Sequence, residues 1–309
     1  MRVLRSIPEL ATLPGPISLG IGVFDGIHPG HERVIRRALD DAAKQGGTAV
    51  IVTFDPHPAK VLRPEKAPHL LTSTPHKLQL IKALGVEVVL LIEFNRAFAA
   101  TDPEVFITDL ARSAHPLRTI CVGEKWFFGK DRRGNVGLLR EMGEKLGFTV
   151  SAVPAVQIGG RVVSSTLIRG EVEHGRLDEV QRFLGRPFTI LGTVVEGKKL
   201  GHQLGFPTAN LSAHNEQFPP NGVYAVRAWL DAKELHGVVN IGIRPSIEDA
   251  APQRTLELHI FDFDRDIYGR DLEVKFEKFL RPEKKFPSLD ALRAQIAVDV
   301  KLSRDIFGI

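Results

Sequence analysis

The chain has 309 residues, 43% hydrophobic and 25% charged, which excludes a disordered polypeptide and leaves room for about two domains, each able to bury its own core. Lys and Arg number 41 against 37 Asp and Glu, a net charge of +4 that suits anionic small molecules. The basic residues are scattered, with pairs such as Arg132-Arg133, Lys198-Lys199 and Lys284-Lys285, so no nucleic-acid surface is expected.

No charged N-terminal region leads into a long apolar stretch, so no signal peptide is expected. From residue 17 to about 153, β-rich runs alternate with helical periodicity. Strands are expected near 17–23, 48–54, 87–94, 118–122 and 149–153, and helices near 31–45, 75–84, 103–114 and 135–147. Thr74-Pro75 and Asp102-Pro103 each place a cap residue before a proline at the first helical position. Such alternation predicts a parallel sheet covered on both faces, with ligands at the carboxyl ends of its strands.

The first strand runs into Phe24-Asp25-Gly26-Ile27-His28-Pro29-Gly30-His31, and Val34, Ile35, Ala38, Leu39 and Ala42 follow at helical spacing. Gly26 and Gly30 let the backbone approach a ligand without a Cβ in the way. His28 then lies in a strand-to-helix turn and His31 in about the first helical turn, beside unpaired N–H groups and the positive end of the dipole. A lone histidine there is more often a turn or surface residue. Two at this spacing point to a phosphate site, where imidazole donors stabilise charge building on the oxygens of an attacked α-phosphate.

The second strand enters Asp55-Pro56-His57-Pro58, expected to be a stiff loop that continues neither strand nor helix and lies near the first motif if the two strands pair. The longest strongly apolar run, 86–94, is broken by Glu87 and Glu93 and is too short to span a bilayer, so no membrane partner is expected. The fourth strand holds the single cysteine, Cys121, which excludes an intrachain disulfide and is expected as a buried thiol in a cytoplasmic protein. It ends in Gly123-Glu124-Lys125-Trp126-Phe127-Phe128, whose aromatics read first as packing and otherwise as the wall of a flat ring's pocket. In Arg161-Val162-Val163-Ser164-Ser165-Thr166-Leu167-Ile168-Arg169 the hydroxyls cap a helix, or they and Arg169 clamp pyrophosphate oxygens.

A helix near 177–184 ends at Gly185 and Arg186-Pro187 breaks the chain, which sets expected domains of 1–185 and 186–309. Strands near 188–195, 222–230, 236–241, 254–263 and 271–279 then follow without helices between them, as in a small antiparallel barrel. Pro287-Ser288 starts a last helix with Leu289, Leu292, Ile296 and Val300 on one stripe, expected to cover the barrel. Between the first two of these strands, Gly197, Gly201 and Gly205 are spaced by four, with Lys198 and Lys199 among them. They suggest a loop whose amides face anionic oxygens. Phe206-Pro207-Thr208-Ala209-Asn210 follows, and an extended chain would put the Thr208 hydroxyl and Asn210 amide oxygen on one side, as a hard divalent cation held mainly by nucleotide phosphates requires. In 255–260, Leu256, Leu258 and Ile260 face one way and Glu257 and His259 the other, which offers Glu257 as a base for an alcohol attacking a γ-phosphate.

Taken together, G-x-F-D-G-x-H-x-G-H at 22–31, T-F-D-P-H-P at 53–58, S-S-T-x-I-R at 164–169, L-G-F-P-T-A-N at 204–210 and E-L-H-x-x-D-F-D onward to F-L-R-P-E at 279–283 resemble the bifunctional bacterial riboflavin kinase and FMN adenylyltransferase, or FAD synthetase, family. The resemblance implies an α/β chain: an N-terminal Rossmann-like nucleotidylyltransferase domain, then a riboflavin kinase-like β-barrel with a terminal helix. It implies phosphorylation of riboflavin by ATP in the barrel, with Mg²⁺ on Thr208 and Asn210, Glu257 as base, and the 197–207 loop and Arg281 around the substrates. The N-terminal domain would join FMN to the AMP part of a second ATP, releasing pyrophosphate and giving FAD. His28 and His31 would stabilise the transferring phosphate, Ser164, Thr166 and Arg169 would hold the triphosphate, and 123–129 would meet flavin or metal. Partners would be these small molecules, with self-association at most weak. Lys125 stands where the family has Asp or Asn, and Phe127 at a position often held by arginine. An alternative reading is therefore a riboflavin kinase with a weak or inactive adenylyltransferase domain.

Overall fold

The computed structural model describes residues 1–197, 200–231, 233–244 and 253–309. It divides into two compact units: Met1–Leu70, Thr74–Leu167 and Phe183–Gly185 form the first, and Leu71–Ser73, Ile168–Arg182 and Arg186–Ile309 the second. No helix among the described residues is long and apolar enough to cross a membrane.

The first unit follows the predicted alternation: β1 (Arg2–Leu4), β2 (Ile17–Ile21), α1 (Pro29–Lys44), β3 (Thr48–Asp55), α2 (Pro58–Leu62), α3 (Thr74–Ala83), β4 (Val88–Glu93), α4 (Arg96–Ala99), α5 (Pro103–Ser113), β5 (Leu117–Gly123), α6 (Val136–Leu146) and β6 (Thr149–Val153). A short hairpin, β7 (Gln157–Ile158) with β8 (Arg161–Val162), precedes α7 (Ser165–Glu173) and α8 (Leu177–Leu184), whose residues Ile168–Arg182 belong to the second unit. The six long-range strands pair in parallel in the order β1-β4-β3-β2-β5-β6. From β2 the chain winds outward through β3 and β4, then returns past β2 to β5 and β6. The carboxyl ends of β2 and β5 thus flank the switch point where open α/β sheets bind ligands. All five residues of β2 are buried. Leu19 and Ile21 pack with Val50, Val52, Leu90 and Ile120 on one face, and Ile35, Ala38, Ile51, Val89 and Cys121 fill the other. Each such aliphatic side chain contributes roughly 1.5–3 kcal/mol by burial, which is why a near-continuous apolar run forms the central strand. Cys121 is buried as expected, its thiol 3.6 Å from Asp41 Oδ2 and pushed up well above its ordinary pKa by desolvation.

Two local expectations change. Asp55-Pro56-His57-Pro58 does not stop at a loop, because α2 begins at Pro58; a proline at the first helical position lacks only an N–H that the helix leaves unpaired. Strand β1, three residues long, was too short to show a period and adds itself to the edge beside β4.

The second unit contains β9 (Thr189–Val195), α9 (Leu200–Gln203), β10 (Ala209–Ala213), β11 (Gly222–Leu230), β12 (Lys233–Arg244), β13 (Gln253–Ile260), β14 (Asp271–Arg281) and α10 (Leu289–Phe307). Six strands close an antiparallel barrel in the order β10-β13-β12-β11-β14-β9. The strand missing from the sequence reading is β10. It joins β9 to β13 and so removes the open edges. Ser288 caps α10 by accepting the Ala291 N–H at 3.2 Å. The buried face of α10 departs from the apolar stripe: Leu289 is 58% exposed, whereas Asp299 and Ser303 are buried. Asp299 is drawn inward by Arg281 of β14, whose Nη2 donates to it at 2.7 Å, and Val300 and Phe307 pack on Val223, Val238 and Phe261.

Candidate active sites

In the first unit, β2 and β3 pair in register up to Ile21 and Val52, so their two carboxyl-terminal loops are neighbours. The backbone leaves β2 through Phe24, Gly26 and Ile27, all at positive φ (54°, 85° and 41°); two of these are side-chain-bearing residues, so the turn holds conformational strain. Buried packing of Phe24 and Ile27 keeps it there. His28 then caps α1: its Nδ1 accepts the N–H of Gly30 at 3.1 Å and of His31 at 3.3 Å. An accepting Nδ1 places the proton of the neutral ring on Nε2, which leaves Nε2–H as a donor. His31 stacks on it, ring centroids 3.7 Å apart. Desolvation pushes His28 down to about 4, and burial together with the neighbouring His28 and Lys77 holds His31 well below its ordinary value. Both imidazoles are neutral donors at pH 7. His57 caps α2 in the same way, Nδ1 accepting from Ala59 N at 3.1 Å.

The remaining residues expected between 123 and 169 divide. Ser164 is a helix cap, accepting the Leu167 N–H at 3.2 Å, and the Ser165 hydroxyl donates to Asp25 O at 2.9 Å, so it fastens the first motif. Thr166 is exposed, half-buried Arg169 lies one turn further along α7, and the Arg161 guanidinium lies over the Phe183 ring at 4.9 Å. Phe128 belongs to the core and stacks on Trp126 at 4.2 Å, while Lys125 and Phe127 are exposed. Arg132 covers the Phe127 ring at 5.0 Å. Sequence reasoning missed a run of touching rings, Phe54, Phe94, Phe98 and Phe106, that continues from Phe128. Their separation along the chain hides it.

In the barrel, cross-strand register places Asn210 of β10 opposite Glu257 of β13, and Glu257 opposite Asn240 of β12. Leu256 and Leu258 are fully buried, so the alternate positions Glu257 and His259 face outward, as the pattern predicts. Asn240 therefore shares a row with Asn210 and Glu257, a neighbour that only strand pairing discloses. The Gly-rich segment is not an open loop, since α9 forms inside it. Two of its glycines are required by close approach: a Cβ on Gly197 would lie 2.0 Å from Asn210 Nδ2, and one on Gly201 2.4 Å from Phe206 O and 2.9 Å from Thr208 Oγ1. His259 braces the segment, with Nδ1 2.8 Å from Pro207 O and its ring edge-on to Phe206. Lys198, expected beside the phosphates, lies outside the described residues. Arg281, expected at the substrate, has its donors engaged by Asp299 and by Pro282 O.

Thr208 and Asn210 are half-buried, uncharged oxygen donors beside a carboxylate, a set that fits Mg²⁺ only if phosphate oxygens supply the remaining charge. Among the described residues no group of three or more His, Cys, Asp or Glu could hold a metal alone.

A family model described as FAD synthetase matches residues 12–167, and one described as riboflavin kinase matches 184–307. The bifunctional riboflavin kinase/FMN adenylyltransferase of Escherichia coli K12 is 37% identical over 311 residues, covering 100% of this chain and 99% of that protein. Its namesake from Haemophilus influenzae is 33% identical, with 100% of both chains covered. A crystal structure of a Streptococcus pneumoniae protein, titled a macrolide-efflux protein, superposes with a TM-score of 0.80 at 27% identity over 98% of this chain and 99% of that one.

Proposed function

The chain belongs to the bifunctional riboflavin kinase/FMN adenylyltransferase family, and from that premise we propose how its two units divide the chemistry. It is an ATP-using transferase that phosphorylates riboflavin to FMN and adenylylates FMN to FAD. We place the domain boundary at 185/186, with adenylyl transfer in 1–185 and phosphorylation in 186–309. The ranges of the two family matches support this division.

The observation that carries the reading is the contrast in reactive groups. The first unit presents neutral nitrogen donors beside a helix N-terminus, and the second presents a carboxylate on a barrel wall. FMN attacks as a phosphate anion and needs no base. It needs the growing charge on the α-phosphate and departing pyrophosphate to be met by donors already in place, which is the task of His28 Nε2–H, His31 and the first amides of α1. Ser164, Thr166 and Arg169 hold the triphosphate. Riboflavin attacks as an alcohol, and Glu257 takes its proton while Asn240 and Asn210 hold the carboxylate's surroundings. Thr208 and Asn210 would hold Mg²⁺, which neutralises phosphate charge when bound. The ring row ending at Trp126, with the exposed Phe127 ring next to it in sequence, supplies flat apolar surface for a flavin. We place the enzyme in the cytoplasm, a reading the buried thiol of Cys121 supports, and take any self-association to be weak.

A chromatographic time course with riboflavin, ATP and Mg²⁺ tests both activities. FMN should rise and then yield to FAD. Accumulation of FMN without FAD would overturn the role given to the first unit and turn attention to Lys125 and Phe127.

A further inference from the structure

The second buried cation-forming group near the first motif is a lysine, which the phosphate chemistry does not use. Lys77 of α3 is 5% exposed, and its Nζ donates to Val23 O at 3.3 Å and to Phe54 O at 3.2 Å. Val23 lies just beyond β2, where the chain enters the strained Phe24–Ile27 turn, and Phe54 lies near the end of β3, just before Asp55-Pro56-His57. Beyond Ile21 and Val52 one backbone bond remains, from the Gly22 N–H to Val52 O at 3.1 Å, and the β2–β3 ladder then stops. Side chains of β3 and α3 close the gap: Thr53 Oγ1 of β3 donates to Val23 O at 3.0 Å, while from α3 Thr74 Oγ1 donates to Asp55 Oδ1 at 2.7 Å and Lys77 bridges the two strands. The charged groups that face this ammonium are Asp25 and Asp55, which favour its charge, and His31, which is disfavoured as a cation by it.

We propose that Lys77 is a positioning residue for adenylyl transfer: its ammonium clamps the ends of β2 and β3 so that the His28/His31 turn and the His57 turn stand at fixed separation. Two of its three donors are engaged by carbonyl oxygens and the side chain is buried, a placement suited to acting through the loops. The argument is energetic as well as geometric. A buried carbonyl that loses its partner is penalised, and the loop relaxes to recover one; displacement of a reacting group by about 1 Å is enough to lower a rate about 100-fold. Burial pushes Lys77 down to about 8, so the clamp's charge falls within a measurable pH range. The proposal rests on assigning FMN adenylylation to the first unit.

The test uses the full chain with FMN, ATP and Mg²⁺ for adenylylation, and riboflavin for phosphorylation by the same preparation. Lys77→Met should lower the adenylylation kcat by about 30-fold or more, leave KM for ATP within about threefold, and leave phosphorylation unchanged. The parent's adenylylation rate should also decline above a pKa near 8, with that limb absent in Lys77→Met. A kcat within about threefold of the parent overturns the inference. So does a rise in KM alone, which would mean direct contact with ATP, or a limb that persists in the variant. If Lys77→Met is insoluble, Lys77→Arg decides: a guanidinium does not titrate in this range, so persistence of the limb near pH 8 in that variant overturns the clamp. Absence of FAD from the parent itself would overturn the assignment of the first unit instead.

Discussion

Glu257 and His31 are the two residues whose replacement should separate the reactions. Glu257→Gln keeps the side chain's size and removes the base, so riboflavin phosphorylation should fall by about 100-fold or more while FMN-to-FAD conversion persists. His31→Ala should do the reverse, lowering adenylylation by about 100-fold with phosphorylation retained. Steady-state rates of each half-reaction on both variants check this; equal loss of both activities in either variant contradicts a two-site enzyme. His28 carries a second consequence, for stability. Its folded-state pKa of about 4 lies below that of the unfolded chain, near 6.5, so between those values the unfolded state binds a proton that the folded ring refuses. Stability from this group is therefore intact above about pH 6.5 and declines as pH falls toward 4, by up to about 3 kcal/mol. His28→Asn, which can still cap a helix, should flatten the acid decline in the urea midpoint of the first unit measured from pH 7 to 4.5. A decline as steep as the parent's contradicts the buried neutral ring.

At the scale of elements, the informative segment is the glycine-rich connection from β9 to β10. Its approach to Thr208 and Asn210 leaves no space for a methyl group at Gly201. Gly201→Ala should therefore displace Thr208 or Phe206 and raise KM for ATP in phosphorylation about tenfold or more, with adenylylation unchanged; kinase kinetics within about twofold of the parent would show that the segment yields easily. Elements also explain the departures from expectation. Periodicity located every long strand and helix because each buries a continuous face. It could not locate β1 or α2, which are too short to display a period, or β10, and the apolar stripe it assigned to α10 left out a buried carboxylate matched to Arg281. An apolar stripe is a rule about solvation, and an ion pair with a bidentate guanidinium satisfies solvation by other means.

For the whole molecule, assigning the two reactions to different units predicts that FMN made by one copy of the enzyme can be used by another. A mixture of Glu257→Gln and His31→Ala proteins, neither able to convert riboflavin to FAD alone, should do so together, with a lag set by FMN accumulation. Chromatography of the mixture over time checks this, and the absence of FAD despite FMN formation would show that the intermediate is not shared. The sequence by itself determined the class of each unit, the order of the two activities, and most of the residues with chemistry to offer, because glycine turns, histidine spacing and strand alternation are local properties. Only the tertiary structure decided which of those residues are engaged by other parts of the protein. Ser165 is a tie to Asp25, Arg281 a fastening for α10, and Phe128 a core side chain, while Asn240 and Lys77 enter through strand register and helix packing. The reason is physical: a side chain's chemistry is fixed by its type, but whether its donors face solvent, substrate or a neighbouring strand is set by contacts far apart in the chain.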